Sequence, residues 1–130
     1  MSEQRQFISS GSPWEELAGY SRAVVEGNLI FVSGTVGMNL KTMVMPEGAQ
    51  LQAEQALDTI EAALGEAGAS LLDVTRVRVY VPDRADVPAV SAVLKKRLGA
   101  ARAANTTICS PLAVEGAKVE IEVTAVRPPF

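Results

Sequence analysis

The chain has 130 residues, 48% of them apolar, and a formal net charge of −3. That length predicts one domain over 1–130 with a real hydrophobic core, and the apolar fraction argues against disorder. With no histidine and one cysteine, Cys109, the sequence excludes Ser-His and Cys-His dyads, an intrachain disulfide and a His/Cys zinc site. Acid–base work must fall to carboxylates, Lys, Tyr or a bound water. An acidic balance without a basic run gives a nucleic-acid partner no electrostatic support. The most apolar stretch, Gly27 to Val36, is far too short to span a bilayer, and Met1 to Arg5 is polar where a signal peptide needs an apolar core. A cytoplasmic protein without membrane contact is expected.

In chain order, Gln6 to Ser9 suits a first short strand, and Ser10-Gly11-Ser12-Pro13 breaks it and opens a loop. Arg22–Glu26 and Leu29–Thr35 are β-rich runs joined by Gly27-Asn28, a two-residue turn that tolerates positive φ. A loop from Gly37 to Gly48 follows. From Ala49 to Ala67 the period becomes helical, with Ala53, Ala56, Leu57, Ile60, Leu64 and Ala67 on one face. Gly68 stands at its C-terminal cap.

Val74 to Val81 alternates as a strand until Pro82-Asp83. Asp86 then reads as the N-cap of a second helix, with Pro88 in its first turn and Val90, Val93, Leu94 and Leu98 on its buried face. Lys95, Lys96 and Arg97 complement its dipole, and Gly99 ends it. Two closing strands follow, Ala103–Cys109 and Lys118–Ala125. In the last, Val119, Ile121, Val123 and Ala125 oppose Glu120, Glu122 and Thr124. Cys109 reads as a small packing residue of its strand.

This order predicts a two-layer α+β domain, a mixed sheet with two helices on one face. The strands carry more apolar residues than one face requires, so the second face is expected to be apolar and covered by another copy of the chain.

Several ordered segments resemble the Rid superfamily (reactive intermediate deaminases, YjgF-like). Gly19-Tyr20-Ser21-Arg22-Ala23-Val24 resembles its opening motif, and Leu29-Ile30-Phe31-Val32-Ser33-Gly34-Thr35 its Ser-Gly strand. Gln55 to Ala62 and Gly68 to Val74 match its helix and the strand after it. Ala103-Ala104-Asn105-Thr106-Thr107 and Val119-Glu120-Ile121-Glu122 match its closing motifs. The resemblance implies a chorismate-mutase-like fold, a relative of the ferredoxin-like fold, assembling as a homotrimer with ligand clefts at the subunit interfaces. It implies hydrolysis of a reactive imine or enamine, such as a 2-imino acid, to a carbonyl compound such as a 2-oxo acid plus ammonia, with no cofactor or metal.

Carried over by position, the resemblance makes Glu120 the group that orders the attacking water or passes a proton to departing ammonia. Tyr20 and Ser33 shape the cleft, Ser33 without a nucleophilic role because no histidine can activate it. Ser91, Asn105 and Thr107 are further substrate-binding candidates. At Asn105 the family carries an Arg that pairs with a substrate carboxylate, and an Asn supplies no positive charge. A non-standard substrate is therefore expected unless Arg22 or Arg102 compensates; an ordinary ion pair is the competing role for Arg22. Two placements fit Trp14, roofing the pocket or packing at the trimer interface. A metabolite-binding trimer without turnover is the second reading. A ribonuclease or translation inhibitor ranks last, given the acidic balance and missing histidine.

Overall fold

Alternating strands and apolar helix faces meet in a six-stranded mixed sheet, in a computed structural model that describes residues 5–128. Met1–Gln4, most of the polar N-terminal segment, lie outside the described residues. The strands are β1 (Gln6–Ile8), β2 (Ala23–Glu26), β3 (Leu29–Val36), β4 (Val74–Val81), β5 (Ala104–Cys109) and β6 (Glu120–Val126), in the order β1-β2-β3-β6-β4-β5. Of the neighbouring pairs, β4 and β5 run parallel and the others antiparallel. A parallel pair needs a crossover, which α3 (Val87–Leu98) supplies. The longer helix α2 (Ala49–Glu66) connects β3 to β4.

Sheet and helices share one core. Ile30, Val32, Val77, Val79, Ile121, Val123 and Ala125 pack against Ala53, Leu57, Ile60 and Leu64 of α2 and against Val90, Val93, Leu94 and Leu98 of α3. The two helices are also tied by Arg97, which reaches Glu54, Asp58 and Glu61 at 2.7, 3.0 and 3.2 Å. The predicted α+β architecture, with both long helices over a mixed sheet, is the one observed.

Four expectations need correction. The open face of the sheet is not broadly apolar. Its centre carries Arg76, Arg78, Tyr80, Glu122 and Thr124, with Tyr80 donating to Glu122 at 2.6 Å, because alternation sends these positions of β4 and β6 to that side. Apolar exposure there is at Phe7 on β1, Leu29 and Phe31 on β3, and Ile108 on β5. Ser12-Pro13 starts a short helix, α1 (Pro13–Ala18), rather than a loop. Asp86 precedes α3 but makes no side-chain cap bond; Asp83 caps the preceding 3₁₀ turn by accepting from Ala85 N. Cys109 is exposed, since β5 is an edge strand whose six residues are all exposed.

Candidate active site

The site begins with the local chemistry of α1. Ser12 Oγ accepts from Trp14 N at 3.2 Å, and Pro13 needs no amide partner in the first turn. Gly19, at φ 73, takes the left-handed conformation that closes the helix. The reversal brings Arg22 back against Glu15, and both side chains are buried, 3% and 5% exposed.

Glu15 accepts from Ser9 Oγ and Ser10 N, both at 3.1 Å, from Ser10 Oγ, and from Arg22 Nε at 3.1 Å. Burial pushes its pKa up, but the hydrogen bonds from Ser10, Arg22 and Ser9 together outweigh it and hold the carboxyl below its usual range. Glu15 is ionised, and Arg22 is its counter-ion.

Arg22 also braces an irregularity in β3. From Val32 to Thr35 this strand advances three residues while β6 advances two, from Val123 to Ile121, which marks a bulge at Ser33-Gly34. Arg22 Nη1 donates to Gly34 O at 2.9 Å and to Thr35 Oγ1 at 3.0 Å, satisfying groups at the bulge. Its Nη2 donates to Tyr20 OH at 3.4 Å, and the guanidinium carbon lies 5.6 Å from the Tyr20 ring centroid. Ser33 Oγ donates to Ser21 O at 2.6 Å, and Thr35 Oγ1 to Ser33 O at 2.8 Å.

Glu120, at the start of β6, lies over this bulge. A Cβ placed on Gly34 would stand 2.1 Å from Glu120 Oε2, so the carboxylate occupies space that any side chain at position 34 would fill. Burial raises the Glu120 pKa, as does the neighbouring Glu122 charge, while Arg22 pulls it the other way. A half-buried carboxyl with a raised pKa is a candidate for general acid–base work.

These residues line one cavity of about 620 Å³. Tyr20, Arg22, Ser33 and Glu120 form its polar side, and Trp14, Val36, Leu40 and Val114 are among its apolar walls. The outer walls belong to two loops fastened to α2 by the buried Gln52. Its Nε2 donates to Pro46 O and Gly116 O at 3.1 and 3.3 Å, and its Oε1 accepts from Lys118 N at 2.7 Å. Among the described residues, no group of three or more His, Cys, Asp or Glu is placed to hold a metal ion.

The other predicted residues lie elsewhere. Ser91, Arg102, Asn105 and Thr107 line a separate depression of about 710 Å³ between β5 and α3. Thr107 Oγ1 donates to Asn105 Oδ1 at 2.9 Å. Within one chain the structure thus gathers Tyr20, Arg22, Ser33 and Glu120, and sets Ser91, Asn105 and Thr107 apart from them.

Comparison with known proteins fits this geometry. The family described as Endoribonuclease L-PSP matches residues 12–127. The chain belongs to this YjgF/Rid family. A crystal structure of a YjgF/YER057c/UK114-family protein from Mycobacterium tuberculosis is 39% identical, with a TM-score of 0.85 over 95% of this chain and 99% of that one. A protein named 2-iminobutanoate/2-iminopropanoate deaminase from Dermatophagoides farinae is 31% identical over 91% of this chain and 93% of its own length. One of the same name from Capra hircus is 33% identical over 97% and 93%.

Two features of this Rid-family cavity escape sequence reasoning. Glu15 looks like a solvated residue of an acidic first turn, and its burial depends on the reversal at Gly19 and on Ser9 and Ser10. The Ser12-Pro13 pair followed by Glu15-Glu16 was the available signal for α1. Gln52 is polar on a helix face otherwise buried by alanine, leucine and isoleucine, and nothing local reveals its loop contacts. Trp14 lines the cavity. Arg22 makes the ion pair expected of it, with Glu15, and it also lines the cavity. Among the described residues, no helix is long and apolar enough to cross a membrane.

Proposed function

We propose that this chain hydrolyses a reactive imine or enamine to a carbonyl compound and ammonia, with Glu120 as its acid–base group. The observation that carries this is the Glu120 carboxylate, half-buried with a raised pKa, held over Gly34 in a cavity shared with Tyr20 and Ser33. The deaminase names of its relatives support the same reaction class.

In this mechanism a water adds to the imine carbon as Glu120 takes its proton. That proton passes to nitrogen to give an amino alcohol; its hydroxyl proton then moves to nitrogen, by way of Glu120, as the carbon–nitrogen bond breaks, so ammonia leaves as the carbonyl forms. An enamine first takes a proton on carbon and gives one up from nitrogen to reach the imine. Ser33 serves as a positioning acceptor, because its own proton is held by Ser21 O.

The reading includes the trimer. There, the depression with Ser91, Asn105 and Thr107 meets the cavity mouth of a neighbouring copy, which reunites the residues one chain separates. Asn105 in place of an arginine then makes the substrate non-standard. Among the described residues the lining carries one cation, Arg22, already paired with Glu15, which favours a small molecule over a polyanion such as RNA. A cytoplasmic setting suits a chain with a single cysteine.

The test generates 2-iminopropanoate and an uncharged enamine in situ and follows their capture by semicarbazide. The protein should accelerate loss of at least one, and Glu120→Gln should lower that rate by about 100-fold or more. No acceleration of either compound refutes the reading. Binding of their carbonyl products without turnover would establish the non-catalytic alternative.

A further inference from the structure

Charge and proton bookkeeping in the cavity restrict its ligand further. Among the described residues, Arg22 is the only cation of its lining, and its neutralising partner Glu15 lies directly behind it at 3.1 Å. The pair is buried on both sides, so Arg22 presents a guanidinium edge without a net charge to spend. The remaining carboxylate of the lining, Glu120, would repel an anion placed beside it. In the half of the cleft that one chain supplies, a free carboxylate therefore meets fixed charges that sum to zero or below.

The hydrogen-bonding groups add direction. The Ser33 hydroxyl proton is committed to Ser21 O, so towards the cavity this oxygen offers lone pairs only. An ionised Glu120 is also an acceptor. Tyr20 OH accepts from Arg22 Nη2, which leaves its own proton to donate. Acceptors at Ser33 and Glu120 thus stand with donors at Tyr20 and Arg22 Nη2, inside walls of Trp14, Leu17, Val36, Leu40 and Val114. The pattern matches a neutral group with N–H beside an oxygen or nitrogen acceptor.

We propose that the cavity selects an uncharged imine or enamine whose neighbouring carbonyl is an amide or ketone, with an apolar substituent, in preference to a 2-imino acid with a free carboxylate. This rests on the cavity being the substrate cleft, and it concerns binding rather than turnover.

Two stable product analogues of one skeleton test it: 4-methyl-2-oxopentanoate and its primary amide, titrated by calorimetry into the full chain. The emission of Trp14, the only tryptophan, reports occupancy of this cavity. The amide should bind more tightly by about tenfold or more. Glu15→Gln, which unmasks the Arg22 charge, should raise affinity for the acid and narrow or reverse that ratio. Equal or tighter binding of the acid to the unmodified protein overturns the proposal, as does binding of neither compound at millimolar concentration. An unmoved ratio in a folded Glu15→Gln protein also overturns it. Where that variant does not fold, the acid–amide pair on the unmodified protein decides alone. Amide preference without imine hydrolysis would leave this inference standing and remove the deaminase reading; hydrolysis with a carboxylate preference would do the opposite.

Discussion

Gly34→Ala is a small change with a calculable consequence. The new Cβ would lie 2.1 Å from Glu120 Oε2 and 3.0 Å from its carboxyl carbon, whereas ordinary contact begins near 3.4 Å. The carboxylate must retreat by about 1.3 Å, and a displacement of that size can cost about 100-fold in rate. Stability should change by less than about 1 kcal/mol, because the obstructing atoms are the end of a flexible side chain and alanine restricts the unfolded chain. Gly37→Ala is the control. Its Cβ would meet the Gln52 backbone oxygen at 2.2 Å and its Cα at 2.4 Å, atoms of a helix that cannot swing aside. It should cost about 3 kcal/mol. Denaturant melts give the stabilities and imine hydrolysis the rates. An NMR titration of Glu120 supplies a readout that needs no substrate, since a carboxyl pushed towards water should lose its upward pKa shift. A Gly34→Ala protein with unchanged rate and unchanged Glu120 titration would refute the assigned placement. One as destabilised as Gly37→Ala would refute the claim that Glu120 yields.

Glu120→Gln should lose activity yet gain stability at neutral pH. A carboxyl whose folded pKa is raised contributes stability that is complete below its unfolded pKa and is lost as pH rises through the folded one. At pH 7, above the unfolded carboxyl pKa, the half-buried group is therefore a cost that a neutral amide removes, and the gain should shrink as pH falls into the carboxylate range. Denaturation of both proteins at pH 4 and pH 7 checks this, and a less stable variant at pH 7 would contradict it. Gln52→Leu leaves Pro46 O, Gly116 O and Lys118 N without their partner, for a loss of about 3 kcal/mol in a thermal or urea melt. A loss within experimental error would show that water replaces the amide.

The parts legible in the sequence are those set by a local period. Residues 49–66 show a helical stripe because Ala53, Leu57, Ile60 and Leu64 must all meet one sheet, and β4 and β6 alternate because one side of each faces that stripe. The same alternation misleads when apolar residues are merely counted. Val77, Val79, Ile121 and Val123 all fall on the helix-covered side, so they say nothing for an apolar open face. The site is harder to read because it depends on reversals and irregularities. The bulge at Ser33-Gly34 has no periodic signature, and the Glu15–Arg22 pair joins residues whose approach depends on one left-handed glycine. Glu120 was identifiable from motif resemblance alone; Glu122, two residues on, has the same local pattern and faces Tyr80 and Arg78 instead.

Asn105 offers a test that joins the two halves of the proposed cleft. It is exposed on the edge strand β5, so Asn105→Arg needs no space in the core and should fold normally. Within a single chain, the new cation would sit in the depression with Ser91 and Thr107, away from Glu120. In the trimer reading it would instead reach a neighbouring copy's cavity and add a positive charge that Glu15 does not neutralise. The affinity of 4-methyl-2-oxopentanoate relative to its amide should then rise by about tenfold or more. Adding Glu120→Gln should raise it further by removing the competing negative charge. A trimer in sedimentation whose acid–amide ratio ignores the arginine would show that the two depressions do not meet. A monomer whose ratio nevertheless shifts would show that this chain brings Asn105 to its own ligand. Only a trimer with a shifted ratio supports a cleft shared between copies, with Glu120 and Asn105 contributed from opposite sides.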